Sequence, residues 1–547
     1  MERTLGQRRD SRVAGRDQYG HGARLCRPAL RRMALALCAA VSLLLSSSTV
    51  GAAPNITGQG GDPPTVDLAA ARYVVLIVLD GARPDYLKVA PLPHLDALIA
   101  QGTEYTGALT GILESETPSG HTTISTGSTP RRNGILGFNW GRGEGDYSLF
   151  SPAVVRSGAI EQIMQAAHIP TIASLYKARY PHGRVVALSG YKYYAADPLG
   201  GPQADAIIYF RNDAQNKYYS PTAIPGHVPP YGVLENPSLT VSATGGWYGR
   251  DDHLATALAL SAFAHMHQQV TLINYPDTDW PLGHVDGGDL SKPKVVQLMR
   301  TFDQDLAWIE DTYRRARILD KTLFVITADH GMTPVRRFVP WTVFSTAVTN
   351  AGTRLSAATY STAAYLWLHD VHKASRVAAN IVASKDPGID TVYYWSAARQ
   401  QYVRSPGAPV SAALEAANQY LLATLVNGHQ PSVVAFCHRY NSAQSPTTHW
   451  KADHGGADWQ SQHIPLVLSG PGIRRGAVVT APAQLEDIAP TVLRELGVSP
   501  VGMEGQVLSD ALTSPASADA SVRATEIARL QPVVKALATQ DRSERHR

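Results

Sequence analysis

Four clusters in this sequence place acids and imidazoles at the short spacings that catalytic and metal sites use. Asp80-Gly81 directly follows the apolar run Tyr73–Leu79. Asp277, Thr278, Asp279, Gly283 and His284 follow V-T-L-I-N. Asp329-His330-Gly331 follows T-L-F-V-I-T. The last cluster is Asp453-His454-Gly455-Gly456. Any one of these alone reads more readily as a turn or a helix cap. Three of them, however, end apolar, β-branched runs of the kind buried in parallel sheets. In open parallel sheets, ligands bind beyond the carboxyl ends of the strands. At least three Asp and two His therefore converge on one edge, and the fourth cluster brings another His. Asp and His without Cys suit zinc, and also manganese or iron. Asp80, Asp279, His284, Asp329, His330 and His454 are too many for one ion. Divided three and three, they describe two divalent ions, zinc being the first choice, with positions left open for a hydroxyl and for substrate. Two ions roughly 4 Å apart form a clamp for in-line displacement at phosphorus.

The hydroxyl comes from S-E-T-P-S-G-H-T-T-I-S-T-G, residues 115–127. Thr117 before Pro118 predicts a helix N-terminus, with Thr117 as the cap, Pro118 in the first helical position and Gly127 as the stop. A hydroxyl there faces unpaired backbone N–H groups and the positive end of the helix dipole. That place suits a nucleophile attacking phosphate.

The elements that must position these groups read as an α/β fold. Strands are expected at Tyr73–Leu79, Val185–Leu188, Val270–Ile273, Thr322–Ile326 and Ile464–Leu468. Helices are expected at Leu92–Ala100, Leu254–His265 and Lys294–Arg315. The alternation predicts a mostly parallel central sheet flanked by helices. Residues 191–252 are long, Gly/Pro-rich and aromatic, and read as a cover. Residues 334–450 read as an inserted subdomain. Residues 513–547 read as a tail holding a short helix from Ala520 to Leu530 that stops before Pro532, with the last several residues mobile.

The chain has 547 residues and a net charge of +4. Nine Arg against three acids in residues 1–32 account for that excess. The body is slightly acidic, which gives no case for a nucleic-acid-binding surface. Arg31-Arg32, the apolar run Met33–Leu45 and the small residues to Ala53 predict an export signal over residues 1–53, followed by a linker over 54–72. An uncleaved anchor is the competing reading of that segment. With the signal removed, no membrane span is expected, and the protein is exported to the periplasm, cell surface or medium. Cys437 is then the lone cysteine, read as a small buried hydrophobe.

V-L-I-V-L-D-G, T-P-S-G-H-T-T-I-S-T-G, D-W-P-L-G-H, T-A-D-H-G-M and D-H-G-G, in this order, resemble the alkaline phosphatase superfamily. The nearest branch is the type I phosphodiesterase and nucleotide pyrophosphatase group, over roughly residues 73–508, within a catalytic domain expected over 73–512. The resemblance implies an alkaline-phosphatase-like catalytic domain. It assigns Asp80, Asp329 and His330 to the ion that activates Thr117, and Asp279, His284 and His454 to the other. Thr117 would form a covalent phospho-threonine that water hydrolyses. Asn139, in G-I-L-G-F-N-W, would donate a hydrogen bond to a phosphoryl oxygen. The substrate would be a small phosphate ester or nucleotide-like diester.

Three departures from the family pattern stand out. Asp279 to His284 is one residue longer than the usual D-x-x-x-H, which makes Asp277 a minor alternative ligand. Asn139 sits one residue late. T-P-S-G-H is closer to the Thr-dependent monoesterases than to many diesterases. Monoesterases would add a Lys and an Arg for the extra phosphate charge. Lys192 stands where that Lys would lie, although its ordinary reading is a solvent-facing side chain, and Tyr194 occupies the place of the Arg. The expectation is a diesterase, with a Thr-dependent alkaline phosphomonoesterase as the alternative. A sulfatase-like hydrolase ranks below both because no C/S-x-P-x-R context surrounds Thr117. A non-catalytic binding protein ranks below both because no ligand is missing.

Overall fold

In the computed structural model, which describes residues 70–141 and 146–544, Tyr73–Leu79 lies in the middle of a ten-stranded sheet. The strand order is Ala477–Gln484, Gly102–Leu109, Leu466–Ser469, Thr322–Thr327, Tyr73–Leu79, Val270–Tyr275, Val185–Ser189, Ala206–Asn212, Tyr218–Ala223, Val241–Ser242. Five consecutive strands, from Thr322–Thr327 to Ala206–Asn212, run parallel. The predicted α/β class with a mostly parallel sheet is what the chain adopts. The export signal predicted for residues 1–53, and all but the end of the linker, fall outside the described residues.

The register explains why the chemistry converges. Val78 pairs with Thr327, Leu79 with Tyr275, and Ser189 with Asn274. These strands therefore end at one level, and Asp80, Asp279 and Asp329 all leave the sheet on the same edge. The central strands are apolar and buried on both faces because helices cover both sides. Pro293–Arg315 is the clearest of these helices. It buries Val295, Leu298, Met299, Phe302, Leu306, Ile309 and Tyr313 at helical spacing.

Three expectations about the elements are corrected. Leu466–Ser469 runs antiparallel to both its neighbours, so a buried apolar run did not reveal strand direction. Residues 191–252 are not a structureless cover. They hold the helix Tyr193–Gly200 and the strands Ala206–Asn212, Tyr218–Ala223 and Val241–Ser242, which extend the main sheet. Of the aromatics there, Tyr209, Phe210 and Tyr219 are buried sheet residues, whereas Tyr218, Tyr231 and Trp247 are exposed. The C-terminal helix runs from Ser517 to Glu544, straight through Pro532. Pro532 removes one hydrogen bond. Burial of Leu530 before it and of Val533, Ala536 and Leu537 after it, together with ion pairs of Arg523, holds the helix across the gap.

Between Pro334 and Trp450 the chain builds a second, antiparallel sheet. Its order is Leu355–Tyr360, Ala363–Leu368, Val433–Cys437, Ile389–Ser396, Gln401–Arg404. It has its own core around Phe344, Leu366, Val377, Ile381 and Val433. This sheet reaches back to the catalytic edge. Tyr365 Oη donates to Gly455 O at 2.5 Å and accepts from Glu114 N at 3.0 Å. Thr362 N donates to His454 O at 3.2 Å.

Candidate active site

Thr117 is the first residue of the helix Thr117–Thr126, and Glu116, not Thr117, is its cap. Glu116 is extended (φ −108°, ψ 165°), its N–H donates to Ser119 Oγ at 3.1 Å and its C=O accepts from Gly120 N at 2.8 Å. The predicted cap is therefore off by one, because the preceding acid and Ser119 pair across the first turn. Gly127 ends the helix in the left-handed region (φ 56°), as predicted. Thr117 Oγ1 donates to Asp80 Oδ1 at 3.4 Å. Gly120 allows this close seating, since a Cβ there would come within 2.8 Å of the Asp329 side chain.

All six predicted ligands are buried, and a chain of close contacts joins them to one another. Asp279 Oδ1 lies 3.1 Å from His284 Nε2 and 3.8 Å from His454 Nε2. His330 Nε2 lies 3.5 Å from Asp80 Oδ1 and 3.4 Å from Asp329 Oδ2. His330 also sits close to Asp279 and His454, so it stands between the two trios rather than inside one. Asp277, the alternative ligand, turns away. Its Oδ2 accepts from Asp251 N at 3.1 Å.

The imidazoles are already set for metal. Nδ1 of His284, His330 and His454 lies 2.8, 2.9 and 3.0 Å from the carbonyls of Ala452, Gly331 and Ser115. A carbonyl only accepts, so each Nδ1 carries a proton and Nε2 is the atom left to face a cation. Asp80 Oδ2, Asp279 Oδ1, Asp329 Oδ2 and His330 Nε2 are buried without a hydrogen-bond partner. Orphaned buried atoms of this kind are costly unless something else satisfies them. The donor set fits two divalent cations.

His121 is the residue that reading the sequence missed. Its Nδ1 lies 2.8 Å from Thr117 O and 3.2 Å from Asp329 Oδ2, and its Nε2 lies 2.9 Å from Asn274 Oδ1. Asn274 turns its amide N–H toward Ser189 Oγ. Both ring nitrogens of His121 thus face acceptors, which favours the imidazolium. Burial works against that charge, but Asp329 outweighs it and the pKa is raised. His121 is therefore a cationic support for Asp329. The signal was present as the H of T-P-S-G-H, four residues after Thr117 and so on the same helix face.

Lys192 is fully buried, contrary to its ordinary reading as a surface side chain. Its Nζ lies 2.8 Å from Asp80 Oδ1 and 2.6 Å from Asp279 Oδ2, joining one carboxylate from each implied trio. Its turn lies beyond the strand Val185–Ser189, on the same sheet edge. Burial opposes its charge, yet Asp279 and Asp80 raise its pKa well above the ordinary value. The two acids respond differently. Asp279 goes well below the usual range because Lys192, His284 and His454 outweigh its burial. Asp80 rises to about 6 through burial and the neighbouring Asp329 charge, which Lys192 only partly offsets. Tyr194 is close by, its ring 4.9 Å from that of Phe138. Asn139 opens the short strand Asn139–Gly141. The preceding N–H, of Phe138, donates to Glu116 Oε2 at 3.2 Å, which ties this strand to the cap of the Thr117 helix.

Residues 74–439 match the family described as type I phosphodiesterase / nucleotide pyrophosphatase. The alkaline phosphatase PhoK of a Sphingomonas species is 31% identical over 121 residues, 21% of this chain and 22% of that protein. The match thus spans about a fifth of that relative's length. Among solved structures, the alkaline phosphatase PafA superposes with a TM-score of 0.62 at 16% identity, covering 81% of this chain and 99% of that one. Murine ectonucleotide pyrophosphatase / phosphodiesterase 5 superposes with a TM-score of 0.55 at 15% identity, covering 81% and 100%. An inactive threonine-to-alanine variant of the murine protein was solved in complex with AMP. At these identities the structural likeness establishes the fold.

Proposed function

We propose, on the premise that this chain belongs to the type I phosphodiesterase / nucleotide pyrophosphatase family and is a phosphoester hydrolase, that it cleaves phosphodiesters of nucleotide-like size through a phospho-threonine on Thr117. The observation that carries this reading is the Thr117 hydroxyl at a helix N-terminus, 3.4 Å from Asp80, facing buried carboxylate and imidazole atoms that lack partners.

Thr117 Oγ1 attacks phosphorus and its proton is directed at Asp80. The bond to the leaving oxygen breaks on the opposite side. Water then cleaves the Thr117–phosphorus bond and regenerates the hydroxyl. Asp80, Asp329 and His330 would hold one divalent ion and Asp279, His284 and His454 a second, with zinc the choice these donors favour. Such ions supply a lowered hydroxyl pKa and neutralise charge on the leaving oxygen. His121 keeps Asp329 ionised and oriented. Asn139 donates to a phosphoryl oxygen. The N-terminal turn of the Thr117 helix adds positive potential at the same place. Export is part of this proposal and rests on the signal-like pattern of residues 1–53. No helix among the described residues is long and apolar enough to cross a membrane.

One observation favours the monoesterase alternative. Lys192 is buried between the two carboxylate groups, where an ammonium can meet a phosphoryl oxygen. The missing partner cation, with Tyr194 in its place, keeps the diesterase reading ahead. The deciding experiment compares 4-nitrophenyl phosphate with its bis-ester in zinc-loaded enzyme. A higher kcat/KM for the diester is expected, and a strong monoester preference would replace the proposal with the alternative.

A further inference from the structure

The segment from Asp279 to His284 holds one residue more than D-x-x-x-H. The structure absorbs it as a π-helical turn. The N–H groups of Leu282, His284 and Asp286 donate five residues back, to the carbonyls of Asp277, Asp279 and Pro281, at 3.2, 3.0 and 3.2 Å. The wider turn keeps Asp279 Oδ1 and His284 Nε2 facing each other at 3.1 Å. It also displaces Trp280, which leaves the helical region (φ −132°, ψ 117°) and turns outward. Trp280 is 41% exposed although Asp279 and Leu282 on either side of the turn are buried. Single-turn π elements occur often at functional sites.

A second segment brings another indole to the same place. Trp450 lies against His284 with ring centroids 4.0 Å apart, and Trp280 and Trp450 meet at 6.5 Å and 66°. Lys451 N donates to His284 O at 2.7 Å and pins the two segments together. Three rings from two segments thus form an open aromatic corner around one predicted ligand. With Thr117 as the nucleophile, in-line displacement would send the leaving oxygen to the side opposite it, where Asp279, His284 and His454 are assigned. A group carried on that oxygen would then extend past His284 toward the two indoles.

We propose that Trp280 and Trp450 form a leaving-group subsite that selects an alcohol bearing a flat aromatic ring. This rests on Thr117 as the nucleophile in the reading above. Stacking favours flat rings over alkyl groups of similar bulk, because ring faces meet edges or offset faces at short range.

The test uses metal-loaded enzyme and two diesters, methyl phenyl phosphate and methyl hexafluoroisopropyl phosphate, whose leaving alcohols are similarly acidic. Taking variant over wild type for each ester cancels inherent reactivity. Trp280→Ala and Trp450→Ala should each lower kcat/KM for the phenyl ester about tenfold. The fluoroalkyl ester should change by less than half that factor. Equal losses on both esters, or no loss on either, would overturn the subsite. Binding gives an independent readout. Thr117→Ala is titrated with methyl 4-nitrophenyl phosphate, whose ring quenches indole emission on contact. The quenching should fall in Thr117→Ala/Trp280→Ala, and undiminished quenching there would also overturn it. If wild-type enzyme hydrolyses neither ester, the diesterase reading fails and the titration alone decides the subsite.

Discussion

The imidazoles of His330 and His454 stack face to face, their centroids 3.5 Å apart and their planes 10° from parallel. Two imidazolium ions do not tolerate that separation. Burial first, and then the neighbouring His330, push the His454 pKa well below its ordinary value. With each Nδ1 proton given to a carbonyl, the stack aims two Nε2 lone pairs at one small volume. Backbone carbonyls hold both rings in place, as the proposed ligand roles require.

Removing one ring should therefore remove an ion and leave the fold. His454→Ala is expected to reduce bound zinc from about two ions per chain to about one. Metal analysis of gel-filtered protein checks this, and turnover should fall by roughly a thousandfold. Unchanged metal content would take His454 out of the ligand set.

Thr117→Ala separates chemistry from binding. In the proposed reaction its hydroxyl is the nucleophile, so turnover should drop by about three orders of magnitude or more. The six other ligands remain, so metal content should stay near the wild-type value. Activity within tenfold of wild type would exclude the phospho-threonine.

His121→Leu tests the cationic support. Asp329 would lose its imidazolium partner and Asn274 Oδ1 its donor. Metal affinity should weaken by about 10–100-fold, the usual effect of losing such a partner. Competition with a fluorescent chelator measures it. At saturating zinc most of the turnover should return, which a direct ligand would not allow.

How far the sequence spoke is clear from these same residues. Asp80, Asp279 and Asp329 were legible because each directly follows, or closely follows, a buried apolar run, and strand ends are local features. Thr117's place at a helix start was legible from the Thr-Pro pair, though the cap proved to be Glu116. Lys192 was named only through the family resemblance and its burial was not legible, and His121 was not legible at all, because their contacts lie 87 residues away with Asp279 and over two hundred away with Asp329. Nothing local tells a buried Lys from a solvated one. The strands of residues 206–223 were hidden by Gly, Pro and Tyr around short apolar pieces, where tertiary pairing outweighs propensity. The one-residue lengthening before His284 was visible, but its expression as a π turn was not.

Lys192→Ala discriminates between the two ester classes. A monoester carries more charge on its phosphoryl oxygens than a diester, so an ammonium facing them matters more to the monoester. The monoester kcat/KM should fall about tenfold further than the diester value. Parallel assays of the two 4-nitrophenyl esters show it. Equal losses would mean that Lys192 only balances Asp80 and Asp279.

The C-terminal helix should prove integral to the catalytic domain rather than a tail. Arg523, 1% exposed, pairs with Glu526 at 2.8 Å and Asp510 at 3.2 Å, and its Nη1 lies 3.8 Å from Asp487. Asp487 N-terminally supports the helix Ile488–Glu495 and accepts from Gln484 N and Gln506 N, each at 2.9 Å. Removing the guanidinium leaves buried carboxylates facing one another. Arg523→Ala should therefore lose about 3–5 kcal/mol of stability, the range for breaking one side of a buried pair. Arg523→Lys should recover only part, because one ammonium cannot span three acids and the Pro482 carbonyl that Arg523 also reaches. Urea unfolding followed by fluorescence, with metal saturating throughout, measures both. A loss below about 1 kcal/mol in the alanine variant would mean that the helix contributes by apolar burial alone, since exposed pairs commonly amount to no more than that.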